Sequence, residues 1–201
     1  MMHLSFRGFL YLTVTLIIVL QIYFRLLATD KVLVVLGSGG HTAEMTYVLN
    51  MPGVLERLQP AHYLIARGDG HSRAAALRLP TSSQANIHCV TRARRVHQPY
   101  HTAIFTTLLA SLETAWLLIC LRPRLVLANG PGTAFPPLCL AYLFRSLFGL
   151  SVTTVYIESF TRVRRLSATA RLSSWAIDAL IVNWEQLATQ KNMLHIPLYH
   201  L

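Results

Sequence analysis

A glycine-rich segment near residue 40 constrains the fold of this chain more than any other feature. The run Val32–Leu36 is wholly apolar, and Gly37-Ser38-Gly39-Gly40-His41-Thr42 follows it directly. That order is typical of a strand, a tight turn and a helix. Glycines let the backbone approach a ligand closely, and the free N–H groups that begin a helix bind phosphate. The segment therefore predicts a phosphate or diphosphate site, with a purely structural turn as the alternative.

The first thirty residues contain an uncharged stretch. Gly8 to Phe24 is apolar apart from a few neutral polar residues, and Arg7 and Arg25 flank it. Seventeen helical residues reach about 26 Å, the short end of a membrane span. A cleaved signal peptide is the alternative, but the stretch is long for one and a poor cleavage site follows. We therefore predict a membrane anchor over residues 1–29, whose orientation the flanking charges leave open.

The composition narrows the class of protein. The chain has 201 residues, of which 53% are hydrophobic and 13% charged, and its formal net charge is +10. A basic balance suits nucleic acid, an anionic membrane or a phosphorylated ligand. Nucleic acid is disfavoured, because the basic residues interleave with apolar runs and no zinc-finger spacing occurs. The three scattered cysteines predict neither a disulfide framework nor a metal site, and they favour a reducing compartment.

Apolar strands and helical segments alternate through the body of the chain. We predict strands at Lys31–Leu36, Ala61–Ala66, Asn86–Val90, Arg124–Ala128, Ser151–Ile157 and, as the last one, Ala179–Val182. Alternation of this kind predicts an α/β fold with a Rossmann-like parallel sheet over residues 30–184. Thr102–Leu121 is predicted to be a helix that covers the sheet. A second membrane span is the alternative, and the outer face of this helix can also lie on a membrane surface.

Three loops follow the carboxyl ends of predicted strands, where ligands bind in such sheets. They are Gly37–Thr42, Asn129–Thr133 and Glu158–Arg165. The second loop supplies another nest of small residues: Asn129, Gly130, Gly132 and Thr133. Its proximity to the first loop is predicted from the shared sheet edge.

Two titratable groups stand beside these glycines. His41 falls in the first turn of the predicted helix, where a neutral imidazole can accept a proton from a sugar hydroxyl. Glu44 lies on the same helical face and can orient that ring. Glu158 follows the fifth strand and can bind sugar hydroxyls or act as a base. The alternatives are a histidine that serves packing, a first-turn acid and a solvated loop acid.

Two arginine clusters can meet a diphosphate or lipid head groups, or can be solvated surface. They are Arg92, Arg94 and Arg95, and Arg162, Arg164 and Arg165. A dinucleotide fingerprint requires a glycine where Thr42 stands, and Arg67 replaces the acid that would bind the ribose of NAD. NADP remains an alternative, because Arg67 can meet a 2′-phosphate.

Three ordered motifs resemble those of one known family. They are Val34–Met45, Asn129–Thr133, and Tyr156–Val163 with Leu166-Ser167. The family is the membrane-anchor subunit of the eukaryotic UDP-N-acetylglucosamine transferase, which adds the second N-acetylglucosamine (GlcNAc) to dolichol-diphosphate-linked GlcNAc. The resemblance runs from the anchor to about Trp184.

The resemblance implies half of an enzyme. The family is similar to the amino-terminal, acceptor-binding half of a GT-B glycosyltransferase, related to the bacterial enzyme that makes lipid II. It implies a soluble partner subunit that binds UDP-GlcNAc and is recruited to the cytosolic face of the endoplasmic reticulum. It also implies an inverting reaction with no bound metal or other cofactor.

The resemblance also assigns residues. It places Gly37, Gly39 and Gly40 at the acceptor diphosphate, and it implies His41 and Glu158 as catalytic groups. We predict that Glu44 orients His41. To acceptor binding we also assign Ser38, Thr42, Asn129, Gly130, Gly132, Thr133 and Arg162. After Trp184-Glu185 the motif match ends, so residues 185–201 are expected to be a divergent tail. A non-catalytic membrane scaffold and a membrane-bound NADP oxidoreductase remain alternatives.

Overall fold

The computed structural model describes residues 6–26, 29–80, 83, 86–94, 98–130, 132–189 and 192–198. Within them one parallel sheet forms the centre of the molecule. Its strands are β1 (Val32–Val35), β2 (Ala61–Ala66), β3 (Ile87–Val90), β4 (Leu125–Asn129), β5 (Thr153–Ile157), β6 (Ala179–Val182) and β7 (Met193–His195). They lie in the order β3-β2-β1-β4-β5-β6-β7. The Rossmann-like parallel sheet is therefore confirmed.

Helices occupy both faces of the sheet. They are α1 (Phe6–Leu26), α2 (Gly40–Leu49), α3 (Val54–Arg57), α4 (Gly70–Leu77), α5 (Tyr100–Leu121), α6 (Phe135–Phe148) and α7 (Ala168–Leu172). The central strands β1, β2 and β4 are short and buried on both faces, which is why they appear in the sequence as continuous apolar runs. The helices begin and end at caps and glycines; α6, for example, ends at Gly149, which has a φ of 69°.

The alternation of side chains along each strand divides the core into two layers. Leu33 and Val35 of β1 pack on one face with Leu118 of α5 and Leu138 of α6. Val32 and Val34 pack on the other face with α2, α3 and α4. Because β1 lies between β2 and β4, its four residues are all buried. Residues on β1 thus reach both layers, and the loop that follows it lies at the centre of the sheet edge.

The structure corrects the end of the fold. Ala179–Val182 is not the last strand, because β7 pairs with it in parallel over Met193–His195. Leu198 is buried in the layer that contains α2 and α4. Part of the expected tail, residues 185–201, therefore belongs to the sheet domain. Residues 190–191 and 199–201 lie outside the described residues.

The two long helices lie on the same side of the sheet. The amide Nε2 of Gln21 in α1 donates to the carbonyl oxygen of Leu147 in α6 at 3.2 Å. In α5, Ala110, Leu118 and Leu121 are buried, which confirms the prediction that this helix covers the sheet. Among the described residues, His101–Leu121 is the one helix long and apolar enough to cross a membrane by length and composition.

Candidate functional site

The three predicted loops meet at the carboxyl edge of adjacent strands β1, β4 and β5. A Cβ atom added to Gly37 would lie 2.8 Å from Cβ of His41 and 3.0 Å from the carbonyl oxygen of Asn129. Gly130 has a φ of 89°, and an added Cβ there would lie 3.0 Å from Cβ of His41. Only glycine fits at either position. The expected convergence of the first two loops is therefore confirmed.

The start of α2 is open to solvent. Gly39 caps this helix with a φ of 66°, and no side chain among the described residues caps it. A Cβ atom added to Gly39 or Gly40 would meet nothing within 4 Å. Ser38 beside them is half-buried. An uncapped helix start next to free space is an arrangement that favours an anion, because the first N–H groups have no partner within the helix.

A hydrogen bond to Glu44 fixes the imidazole of His41. The His41 ring nitrogen Nδ1 lies 3.2 Å from Oε2 of Glu44, and the His41 side chain is 29% exposed. An ionised carboxylate can only accept, so Nδ1 carries the hydrogen. The other ring nitrogen, Nε2, then holds the lone pair that a general base needs. The orienting contact predicted for Glu44 is present.

Glu44 also connects the other two loops. Its Oε2 accepts from Nδ2 of Asn129 at 3.2 Å, and its Oε1 accepts from Oγ of Ser159 at 2.7 Å and from the backbone N–H of Phe160 at 3.1 Å. Burial raises the pKa of Glu44, but hydrogen bonds from His41, Ser159 and Asn129 outweigh it, so the pKa lies below its ordinary value. Glu44 is therefore ionised at neutral pH.

Two predicted site residues face inward instead. Thr42 is buried, and its one hydroxyl hydrogen is shared between the carbonyl oxygen of Gly37 and Oγ of Ser72, whose own hydrogen goes to Asp69. Glu158 is 1% exposed; its carboxylate accepts from the backbone N–H of Ser159 at 3.0 Å and of Ser167 at 2.7 Å. In this structure each of these polar groups bonds within the fold, and the predicted ligand contacts of Thr42 and Glu158 stay predictions.

The second loop lies against Ala93 and Arg94, in the segment of the first arginine cluster. Asn129 is buried, and its Oδ1 has no hydrogen-bond partner among the described residues. Thr133 is also buried. A Cβ atom added to Gly132 would lie 3.6 Å from the backbone nitrogen of Arg94, so this arginine's backbone borders the loop. Residue 131 lies outside the described residues.

The arginines have different environments. Three arginines of the third loop are exposed: Arg162, Arg164 and Arg165. Arg92 lies 3.7 Å from the carboxylate of Asp69. Arg95 lies outside the described residues.

Arg67 forms an ion pair with Glu113 across 2.9 Å. This pair disfavours the NADP alternative, because it occupies the guanidinium that would have to bind a 2′-phosphate.

Several residues that hold the site together were not identified from the sequence. Ser72 of α4 joins the first loop through Thr42, and Ser159 joins the third loop to Glu44. The hydroxyl of Tyr156 donates to the carbonyl oxygen of Gly130 at 3.0 Å, and burial raises the pKa of this tyrosine. Only Ser72 could have been found indirectly. An aspartate at the N-cap of a helix accepts from the backbone N–H three residues on, and for Asp69 that residue is Ser72. Tyr156 and Ser159 lie within the motif Tyr156–Val163, but the motif alone assigned a role to neither side chain.

Comparison with known proteins identifies the family of this chain. Residues 32–196 match the family model described as "Oligosaccharide biosynthesis protein Alg14 like", so the match extends beyond the motifs, past Trp184. Proteins named UDP-N-acetylglucosamine transferase subunit ALG14 are 34% identical in Mus musculus, 36% in Homo sapiens and 33% in Candida albicans. The three alignments cover 78%, 78% and 83% of this chain and 76% of each relative.

Two solved structures share the fold at low sequence identity. Acinetobacter baumannii MurG superposes with a TM-score of 0.62 at 15% identity, and a putative UDP-N-acetylglucosamine 2-epimerase from Listeria monocytogenes with 0.59 at 14%. They cover 82% and 83% of this chain, but the chain spans only 45% of either structure. The sheet therefore corresponds to part of a GT-B-like protein. From the family model and the curated relatives together, the chain belongs to the Alg14 family of UDP-N-acetylglucosamine transferase subunits.

Proposed function

We propose that this chain is the membrane-anchoring, acceptor-binding subunit of a two-subunit UDP-GlcNAc transferase. The acceptor is dolichol-diphosphate-linked GlcNAc, to which the enzyme adds a second GlcNAc in the synthesis of the N-glycan precursor. The observation that carries the proposal is the open, uncapped start of α2 beside His41, which Glu44 holds in one tautomer. The free N–H groups of the helix start suit a diphosphate, and the oriented imidazole suits a sugar hydroxyl.

The chemistry assigned to this chain is acceptor activation. The backbone of Gly39 and Gly40 binds the diphosphate, and the exposed Arg162 adds a positive charge beside it. Nε2 of His41 takes the proton of the acceptor 4-hydroxyl as the hydroxyl oxygen bonds to the anomeric carbon. UDP leaves from the opposite face of the donor sugar, so the configuration inverts. Glu158 serves as a positioning residue for the third loop rather than as a base.

A second chain completes the site in this proposal. The chain spans 45% of the similar MurG and epimerase structures, so one sheet domain offers one wall of a cleft. A soluble subunit that binds UDP-GlcNAc supplies the other wall, and this chain is inactive alone. Helix α1 anchors the chain in the endoplasmic reticulum membrane, with the sheet domain and the partner on the cytosolic side.

Co-expression tests the proposal. Membranes that contain this chain and the soluble donor-binding subunit of a relative are assayed for transfer from UDP-GlcNAc to a lipid-diphosphate GlcNAc acceptor. We expect transfer only when both chains are present, and a loss of at least about 100-fold in His41→Ala, the usual size of a general-base contribution. His195→Ala, which removes an exposed histidine of the edge strand β7, is the matched control and keeps full activity.

The alternatives give different results in the same assay. A non-catalytic scaffold recruits the soluble subunit to membranes but leaves transfer unchanged in His41→Ala. An NADP oxidoreductase binds NADP without any partner, which titration of the purified chain measures. Absence of transfer with the partner still soluble contradicts the proposed assembly.

A further inference from the structure

The outer surface of α5 is apolar along nearly its whole length. The exposed side chains between residues 103 and 121 are Ile104, Phe105, Leu108, Leu109, Leu112, Trp116, Ile119 and Cys120. Phe105 is 76% exposed and Trp116 is 71% exposed. Spacings of three and four residues place these side chains on one face of the helix. Together these side chains form the α5 face, which extends over about 24 Å of helix.

The α5 face carries no charge of its own. The one charged side chain in this stretch of helix, Glu113, is turned aside and paired with Arg67, and it also accepts from the backbone N–H of Thr91. Contiguous exposed apolar surface of this extent marks a contact with another apolar phase or molecule. The opposite side of the molecule differs, because α3 and α4 expose Glu56, Arg57, Arg73 and Arg78.

The apolar surface continues beyond α5. Helix α6, which packs beside α5, exposes Leu143 and Leu147. Helix α1 contacts α6 in turn, and its exposed residues include Phe9, Leu16 and Ile18. All three helices lie on the same side of the sheet. The α5 face is thus continuous with the helix that the proposed function places in the membrane.

The buried inner side of α5 shows whether this helix can cross a membrane or can only lie in the plane of its surface. Ala110, Thr114, Leu118 and Leu121 are buried beneath the helix. A helix with one side packed on a sheet cannot be surrounded by lipid, although its length and composition suit a span. An apolar outer stripe over a packed inner stripe is the pattern of a helix that lies in the interface plane.

We propose that α5 is a second membrane contact, which lies flat in the bilayer interface with the α5 face among the lipid acyl chains. The occupant of this surface is lipid rather than a second copy of the chain, because the surface runs on into α1. The inference rests on the membrane placement of α1 but not on the transfer reaction. It fixes the orientation of the sheet domain as well, since the strands that α5 covers then run along the membrane surface.

Native tryptophans provide the test in the full chain. The chain is reconstituted in vesicles of phosphatidylcholine with one quarter phosphatidylserine, and the phosphatidylcholine is then replaced by an acyl-brominated form that quenches nearby indoles. The variant W175F/W184F keeps only Trp116, on the α5 face. The matched variant W116F/W175F keeps only Trp184, whose indole N–H donates to the carbonyl oxygen of Phe160 beside the site.

We expect brominated lipid to remove more than half of the Trp116 emission and little of the Trp184 emission. Trp116 that resists brominated lipid but is quenched by aqueous acrylamide overturns the proposal, because the α5 face is then in water. Trp116 shielded from both quenchers overturns it as well, because another protein molecule then covers the face. A chain that does not float with vesicles overturns both the α5 contact and the proposed membrane anchor.

Native cysteines repeat the test without substitutions that affect folding. Cys120 is exposed on the α5 face, whereas Cys89 is exposed on β3. In vesicles, a membrane-impermeant maleimide is expected to label Cys89 and to spare Cys120 until the membrane is dissolved in sodium dodecyl sulfate. Equal labelling of the two cysteines in intact vesicles overturns the proposal.

Discussion

At the scale of single residues, Glu44 is the group on which the candidate site depends. Four donors from three loops converge on its two oxygens: His41, Asn129, Ser159 and the backbone of Phe160. An amide in its place offers one oxygen and an NH₂ group, so at least one buried donor loses its acceptor.

We therefore expect Glu44→Gln to lower transfer by about 10- to 100-fold, since a hydrogen bond to a charged group contributes about 1.5–3 kcal/mol. The measurement is kcat/KM for the acceptor in the two-chain assay, with thermal unfolding to confirm that the variant is folded. Glu56→Gln, an exposed carboxylate on α3, is the matched control. Unchanged kcat/KM in Glu44→Gln would show that the network does not serve the reaction.

Substitutions at Gly37 and Gly40, two glycines of the same loop, distinguish an effect on packing from an effect on ligand binding. At Gly37 an added methyl group would meet His41 and the backbone of Asn129, which cannot move away independently. At Gly40 it would meet free space, inside a helix.

Gly37→Ala is expected to destabilise the fold by about 1–3 kcal/mol, the usual cost of overpacking. Gly40→Ala is expected to keep or slightly raise stability, because alanine favours a helix. It should still weaken acceptor binding, since the methyl group lies where the diphosphate binds. Denaturant unfolding and the acceptor KM measure the two effects. Gly40→Ala with an unchanged KM would contradict the proposed diphosphate position.

At the scale of elements, α4 supports the glycine-rich loop from below. Asp69 caps α4 by accepting from the backbone N–H of Ser72 at 3.0 Å, and its other oxygen accepts from the Ser72 hydroxyl at 2.8 Å. Ser72 then bonds Thr42 across 2.6 Å. The cap of one helix is thus connected to the first turn of another.

Asp69→Ala is expected to cost about 1–2 kcal/mol of stability, the range for a lost N-cap. It should also raise the acceptor KM, because Ser72 loses the partner that positions its hydroxyl. Asp69→Asn keeps one oxygen for the backbone N–H of Ser72 and should retain most of the stability. Its NH₂ group cannot accept from the Ser72 hydroxyl, so the acceptor KM should rise as it does in Asp69→Ala. Identical unfolding of the two variants would contradict this role of the cap.

The elements also show how far the sequence allows prediction. Strands β1 to β6 were predictable, because each is a short and largely apolar run. The apolar run is clearest in β1, β2 and β4, which are covered on both faces. Strand β7 was not predictable, since Leu194 and His195 are exposed and its three residues resemble a loop. The burial of the Glu158 carboxylate could not be predicted either, because a carboxylate that follows a strand can face solvent or its own loop. Only the positions of the Ser159 and Ser167 N–H groups decide between them.

At the scale of the whole molecule, a histidine pair links stability to pH. His62 on β2 and His88 on β3 lie 3.1 Å apart, between Nδ1 and Nε2. Burial, then repulsion from His88 and Lys31, lowers the pKa of His62 to about 4 from 6.5. Burial followed by Lys31 lowers the pKa of His88 too. The unfolded chain therefore binds more protons than the folded chain between pH 6.5 and about 4.

The neutral histidine pair is therefore compatible with the fold above pH 6.5. The free energy of unfolding decreases as the pH falls from 6.5 towards 4, because protonation favours the unfolded chain. Between pH 7.5 and 5 we expect the pair to lower the free energy of unfolding by roughly 1 kcal/mol, since solvent access to the half-buried rings screens part of the effect. Unfolding of the detergent-solubilised chain at both pH values measures the difference. The variant H62N/H88N should lose most of it, and an unchanged pH dependence in that variant would assign the effect to other groups.

The hydrogen bond between Ser159 and Glu44 joins residues 115 positions apart. Ribosomes add about 5–20 residues per second, so roughly 6–23 s pass between the synthesis of the first and second partner. During that interval the residues of α1, β1 and the glycine-rich loop have been synthesised, and so has Ser72, which bonds Thr42 in the folded chain. The order of synthesis therefore divides the site into an early half and a late half. A ribosome that stalls before β5 leaves a chain that already carries its membrane helix but has no assembled centre.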